Sequence, residues 1–172
     1  PMPASLTFVA ALAAHDAVVD ATRGQTIPLI KWPNDLLVSG AKLAGILLER
    51  QGDAVVVGLG INLAWAPDVP DRATTSLAAC GHLLTVDAFA PVLAAAFAQR
   101  LAQWRSGGLP ATISAWMERA HAPGTRLTLT EGAHAGLTAG FESLEQDGSL
   151  RLRRDDGSML LVHAGDVRLA GA

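Results

Sequence analysis

Three runs of strand-forming residues, Ile27 to Trp32, Leu43 to Leu48 and Ala54 to Leu59, lie close enough together to constrain their mutual direction. The spacers, 33–42 and 49–53, carry turn signals at Ser39-Gly40 and Gln51-Gly52-Asp53. Both are shorter than the roughly dozen residues that a crossover between parallel strands needs, so the runs predict an antiparallel meander and not a series of βαβ units. Upstream, apolar Leu6, Val9, Ala10, Ala13 and Val18 recur near the helical period. They predict a helix from Ser5 to about Val19, with Ser5 as its N-cap and Arg23-Gly24-Gln25 ending it. Downstream, residues 66–76 are rich in Pro, Asp and Thr without periodicity and read as a surface loop. Asp87 to Trp104 predicts a long Ala-rich helix ended by Gly107-Gly108, with Pro91 bending it or marking a later start. Pro110 to Arg119 predicts a second helix with Ile113, Trp116 and Met117 on one face.

The texture changes at Ala122-Pro123-Gly124. Short alternating segments follow, Arg126 to Leu129, Gly136 to Phe141, Leu150 to Arg153 and Met159 to Val162, with hairpin signals at Asp147-Gly148 and Asp156-Gly157. The chain therefore predicts an α+β fold: residues 1–121 form a mixed or antiparallel sheet with packed helices, and residues 122–172 a small β-barrel-like domain. A module of that size has little stability of its own and is expected to dock on the first part. Its seven acids and five arginines give it a charge of −2, which argues against nucleic acid as its partner.

Composition narrows the function classes. Half of the residues are hydrophobic and 17% are charged, a balance suited to a packed core and not to a disordered chain. The formal charge of −3 comes without any long basic run, so nucleic-acid binding lacks its electrostatic footprint. The longest charge-free stretches, Pro1 to Ala14 and Ala54 to Pro67, fall short of the ~20 residues of a spanning helix. The single cysteine, Cys80, excludes an internal disulfide, fits a reducing compartment and reads as a small core residue. These features predict a cytoplasmic domain. The five histidines, His15, His82, His121, His134 and His163, have no metal-ligand spacing, and neither Ser76 nor Ser114 has a nearby His–Asp arrangement that would mark a nucleophile.

The cations are unevenly chosen. Eleven of the thirteen are Arg, and the only two lysines, Lys31 and Lys42, fall in one window with the only two asparagines, Asn34 and Asn62. An ammonium is a compact point charge and a guanidinium a planar fork, so a site built for lysine does not accept arginine. Lys31-Trp32-Pro33-Asn34-Asp35 is the densest part of that window. Turn chemistry alone accounts for its residue types, since Asn and Asp cap turns, Pro stops strands and Trp packs. Asp35 and Lys42 each open a strand, and nothing local brings them together. Gly45, inside the next strand, costs stability and signals close approach to the backbone, a sign repeated in Gly58-Leu59-Gly60-Ile61-Asn62. The latter is no dinucleotide fingerprint, because Leu63 stands where the third glycine would be and no helix follows.

The segments Lys31-Trp32-Pro33-Asn34-Asp35-Leu36, Lys42-Leu43-Ala44-Gly45-Ile46-Leu47 and Gly58-Leu59-Gly60-Ile61-Asn62 closely resemble biotin protein ligases. The resemblance continues through Ala73-Thr74-Thr75-Ser76-Leu77, the Trp116 helix and the terminal β module, covering essentially the whole chain. Lipoate ligases share the fold, a class II synthetase-like core, but the Trp-Pro-Asn-Asp string resembles the biotin branch. The resemblance implies ATP-dependent formation of biotinyl-5'-AMP and transfer of biotin to a lysine of a biotin carboxyl carrier protein. ATP, biotin and Mg2+ are the implied ligands, and the oligomeric state, a homodimer among the options, stays open. By the same resemblance Lys42 is the catalytic cation, and Lys42, Gly45, Gly58 and Gly60 hold biotin. Lys31, Asn34, Asp35, Asn62 and Trp65 contact the adenylate, and Asn34 and Asp35 are the metal ligands. Lys31 ranks below Lys42.

Members of that family begin the catalytic domain with a strand–helix region and a Gly- and Arg-rich loop that closes over biotin. None of the 172 residues resembles that loop. The expectation is an N-terminally incomplete core with negligible adenylate synthesis on its own. Removal of residues 124–172 is expected to weaken ATP use and leave the core folded. Two other classes stay open at the level of residues: a non-catalytic module that holds adenylate or biotin, and an inert scaffold fragment that pairs with a partner chain.

Overall fold

The structure, a computed structural model, describes residues 5–70 and 72–171. Asp71, inside the predicted loop, and the outermost residues of the predicted domains, 1–4 and 172, lie outside the described residues.

Helix α1 (Leu6–Ala21) is buried at every position from Phe8 to His15 and again at Ala17 and Val18. A helix apolar on all sides must be covered on all sides. It packs against both the first sheet and the long second helix, and its alanines let those layers come close. Ser5 occupies the N-cap position as expected but makes no side-chain capping bond; its hydroxyl accepts a hydrogen bond from Trp104 Nε1 at 3.0 Å.

The first sheet is an antiparallel meander in the order β1 (Leu29–Lys31), β2 (Asp35–Val38), β3 (Ala41–Gln51), β4 (Ala54–Ile61). Strand β2 opens at Asp35, as expected, shortly after the cis Trp32–Pro33 peptide, and joins the three predicted runs. Between β2 and β3 the register slips: Leu36 faces Ala44, but Leu37 faces Lys42, leaving Leu43 as the extra residue of a bulge.

The two predicted helices follow each other as α2 (Val86–Met117), two helical stretches on either side of a kink at Gly108, within the Gly-Gly pair expected to end the first. There φ is 70° and ψ −168°, a conformation essentially reserved for glycine. Thr85 caps the start by accepting from the Ala88 amide at 3.2 Å, so Pro91 does not mark the beginning.

The second sheet follows the order β8 (Met159–Val162), β7 (Leu150–Arg153), β6 (Thr138–Leu144), β5 (Arg126–Leu129), β9 (Val167–Leu169). Strand β9, only three residues long, carries no sequence signal of its own. Among the described residues no pairing joins β8 to β9, so the sheet is not closed into a barrel by hydrogen bonds.

One core runs through both sheets. Trp116, 1% exposed, meets Phe8 edge-on at 6.1 Å and Phe141 at 6.4 Å. Trp32 Nε1 donates to the Gly148 carbonyl at 3.1 Å, and Gly148 itself lies against the Phe8 ring. The terminal module is therefore a wall of the shared core, which argues that the rest depends on it to stay folded. Among the described residues no helix is long and apolar enough to cross a membrane.

Candidate functional site

The antiparallel register places Gly45 opposite Gly60 and Leu47 opposite Gly58. Since alternate residues share a face, these four positions line one side of the hairpin, while Ala44 and Ile46 turn toward the core. Two missing side chains on β4 and one on β3 leave an open trough of about 530 Å3, bounded by Asn34, Lys42, Leu47 and Leu59. A Cβ on Gly58 or Gly60 would meet only ordinary contacts, at 3.5 and 3.9 Å, so their absence serves the open space and not the packing. Gly45 differs. A Cβ there would lie 3.0 Å from Lys42 Nζ and 3.1 Å from Lys42 Cε, because the lysine side chain crosses directly over it.

Lys42, the second residue of β3, is pinned from the far side by the loop. Its amide donates to Ala73 O and its carbonyl accepts from Thr75 N, both at 2.9 Å. Asn62 ties the same loop to β4 through Nδ2, which donates to Thr75 O at 2.9 Å. The Lys42 ammonium points at Asp35, with Nζ 2.5 Å from Oδ1. Asp35, 2% exposed, has its other oxygen 3.1 Å from Lys31 Nζ. Both lysines of the chain thus flank one buried carboxylate, which strand pairing and the bulge bring together.

Behind that carboxylate lies the seam with the second sheet. Lys31, 4% exposed, also binds Asp166 Oδ1 at 2.9 Å and the Val167 carbonyl at 2.5 Å. Arg72 closes the arrangement, with one guanidinium nitrogen 3.0 Å from Asp166 Oδ2 and another 3.8 Å from Asp35 Oδ2. Burial on its own would raise the Asp166 pKa, but the Lys31 bond and charge, the Val167 amide and Arg72 outweigh it and hold the group below the usual carboxylate range. A second cleft, about 390 Å3, opens along this seam between Lys31, Lys42, Arg72, Glu131 and Arg168. Lys42 borders both spaces. His121 packs nearby with its pKa lowered by burial and, second, by the charge of Lys31.

The predicted residues are therefore divided. Lys42, Gly45, Gly58, Gly60 and Asn34 meet at the trough. Lys31 sits in the seam, its ammonium held by protein groups. Trp65 is 71% exposed and lines neither space. Asp35 does not fit the divalent-cation role that the resemblance implies: both its oxygens face ammonium groups and three cations surround it. Asn34 donates through Nδ2 to the Ile46 carbonyl at 2.8 Å, so its one possible ligand atom is the neutral Oδ1. A hard cation takes several oxygen ligands and gains nothing beside fixed positive charge. Among the described residues no three His, Cys, Asp or Glu side chains gather as a metal site. Arg72 and Asp166 went unread in the sequence. The first is the lone cation of an irregular loop, and the second lies 135 positions from Lys31 with nothing local to mark it. Cys80, expected in the core, is only half-buried, with Thr75 Oγ1 3.9 Å away.

Residues 3–63 match the Biotin/lipoate A/B protein ligase family. Over 98% of its length the chain is 39% identical to a biotin--[acetyl-CoA-carboxylase] ligase of Paracoccus denitrificans, of which it spans 74%. It is 30% identical to the bifunctional ligase/repressor BirA of Bacillus subtilis (strain 168), spanning 52% of that protein. The backbone superposes on a biotin protein ligase from Aquifex aeolicus in complex with biotin and ATP, with a TM-score of 0.80 at 20% identity, covering 98% of this chain and 72% of the other.

Proposed function

The chain belongs to the biotin protein ligase family, and from that premise we propose that it joins biotin to AMP and passes the biotinyl group to a lysine of a biotin carboxyl carrier protein. The observation that carries this reading is the Lys42 ammonium standing at the rim of a glycine-floored trough. The trough offers a fused-ring, largely apolar ligand an open sheet face beside the Leu47 side chain. A carboxylate reaching the Lys42 end meets a fixed positive charge. In the first step a carboxylate oxygen of biotin attacks the α-phosphorus of ATP, and the bond to pyrophosphate breaks. Lys42 offsets the mutual repulsion of the two anions and the charge that develops at phosphorus. In the second step the neutral amine of the carrier lysine attacks the acyl carbon of the adenylate, AMP leaves, and the amine loses a proton. Asn34, beside the trough, and Asn62, which shapes the loop around Lys42, support the nucleotide side of the site.

The test is to supply the complete gene product with biotin, ATP and an apo carrier domain, then follow pyrophosphate release and the mass of the carrier. Pyrophosphate formation that requires biotin, together with a biotinylated carrier lysine, is the expected result. Biotin binding without pyrophosphate release would reduce the protein to a binding module.

A further inference from the structure

The ion pairs at the seam form a continuous chain of alternating charge. It runs from Asp166 in the second sheet to Lys31 at 2.9 Å, from Lys31 to Asp35 at 3.1 Å, and from Asp35 to Lys42 at 2.5 Å. We propose that Asp166 is a positioning residue for Lys42, acting across the seam through Lys31 and Asp35, so that the terminal β module sets the place of the ammonium in the trough. The proposal rests on the reading of Lys42 as the cation of the adenylation step.

Charge counting explains why Asp166 matters to a group it does not touch. Three cations, Lys31, Lys42 and Arg72, share two carboxylates, Asp35 and Asp166. Asp166 accepts from both Lys31 and Arg72, and the Val167 amide, donating to Oδ1 at 2.8 Å, fixes its orientation. With Asp166 ionised, Lys31 is divided between two acids, and one oxygen of Asp35 is left to Lys42. Without the negative charge of Asp166, all three cations compete for Asp35 alone. Lys31 and Asp35 are nearly sealed from solvent, so water cannot replace the lost carboxylate. Lys31, held in place by Val167 O, and Arg72 then draw Asp35 toward themselves, and Lys42, whose one ion pair among the described residues is with Asp35, loses its anchor. Misplacing a reacting or stabilising group by about 1 Å costs on the order of a hundredfold in rate.

The experiment uses the complete gene product with Asp166→Asn, Lys42→Gln and their combination, in single-turnover biotinyl-adenylate formation. A milder variant, Arg72→Gln, loosens Asp166 from an exposed position and keeps the series readable if Asp166→Asn does not fold. Asp166→Asn is expected to slow adenylation by roughly ten- to a hundredfold with a much smaller change in the KM for biotin, and Asp166→Glu to recover part of it. In the Lys42→Gln background the same change should cost less than about threefold, because the group being positioned is gone. Arg72→Gln should follow the same pattern at smaller amplitude. Independently of turnover, the Nζ resonance of Lys42 should shift in Asp166→Asn. An equal loss in both backgrounds, or an unmoved Lys42 resonance, overturns the proposal. Full adenylation by Lys42→Gln beside a shifted Lys42 resonance overturns the catalytic reading while leaving the charge chain intact.

Discussion

The side chain of Lys42 presses on the position that a Cβ on Gly45 would take, with Nζ 3.0 Å and Cε 3.1 Å from that point. In the sequence Gly45 signals an approach to the backbone, and the group that approaches is the protein's own lysine on its way to Asp35. Gly45→Ala should therefore separate folding from chemistry. The crowded atoms are the far end of a flexible side chain, and alanine is favoured over glycine in a strand by about 0.5–1 kcal/mol, so the melting temperature should hold or rise slightly. Adenylation should fall by at least roughly tenfold as the ammonium is pushed aside. A variant with full activity would mean that Lys42 need not lie over Gly45.

The two lysines should respond oppositely to arginine. Lys42 is partly solvated, so Lys42→Arg should keep stability within about 0.5 kcal/mol while losing roughly 10²–10³ in single-turnover rate. Lys31 is enclosed by Asp35, Asp166 and the Val167 carbonyl, and a guanidinium overfills that space. Lys31→Arg should cost about 1–3 kcal/mol in stability, measured by urea unfolding. Near-identical unfolding curves for Lys31→Arg and the parent would show that the seam is looser than the contacts imply.

Asp16 ties α1 to the middle of α2 and to the turn that follows it, with Arg100 Nε 2.5 Å and Arg119 Nε 3.4 Å away. Burial alone would raise its pKa, but the His15 and Arg100 bonds and the two guanidinium charges bring it from 3.8 down to about 2. Because the folded state holds the proton less tightly than the unfolded chain, Asp16 stabilises the fold fully above pH 3.8 and loses that contribution as pH falls through about 2. Asp16→Asn should cost about 1–2 kcal/mol near pH 7, reduced from the full shift by solvent screening, and progressively less toward pH 2. A pH-independent penalty would assign the effect to packing.

His121 gives a pH dependence in a different window. Burial first, and Lys31 second, lower its pKa from 6.5, so the folded protein favours the neutral imidazole. Its contribution is present above pH 6.5 and is lost as pH falls through the lower folded value. Between pH 7.5 and 5.5 the parent should lose more unfolding free energy than His121→Gln. Equal losses would place the acid sensitivity elsewhere.

Removing residues 124–172 should abolish cooperative unfolding of the remainder. The deletion uncovers Trp116, strips the Trp32 indole of its acceptor at Gly148 and leaves Lys31 without Asp166 and Val167 O. A buried charge that loses its partner costs about 3–5 kcal/mol, comparable to the stability of a small domain. A sharp thermal transition in the shortened protein would establish that the first sheet and its helices stand alone.

What the sequence determined by itself was local. Short spacers set the antiparallel meander, the Asp-Gly pairs set the hairpins of the second sheet, and the period of α1 set its helix, because each depends on residues within one turn or one hairpin of each other. The glycines of β3 and β4 were legible as openings for the same reason, since strand register follows from the turn between them. Only the tertiary structure decided which groups the open positions face. The bulge at Leu43 and the pairing of β2 bring Lys42 to Asp35, and packing of the second sheet brings Asp166 to Lys31 across 135 positions of chain. An ion pair becomes specific when burial removes the water that would otherwise solvate each charge, and burial is a property of the assembled layers and not of any segment. The same reasoning places Lys31 and Asp35 in an ion-pair network at the seam: Asp166 and Arg72 stand beside them in space, and no neighbour in sequence announces either.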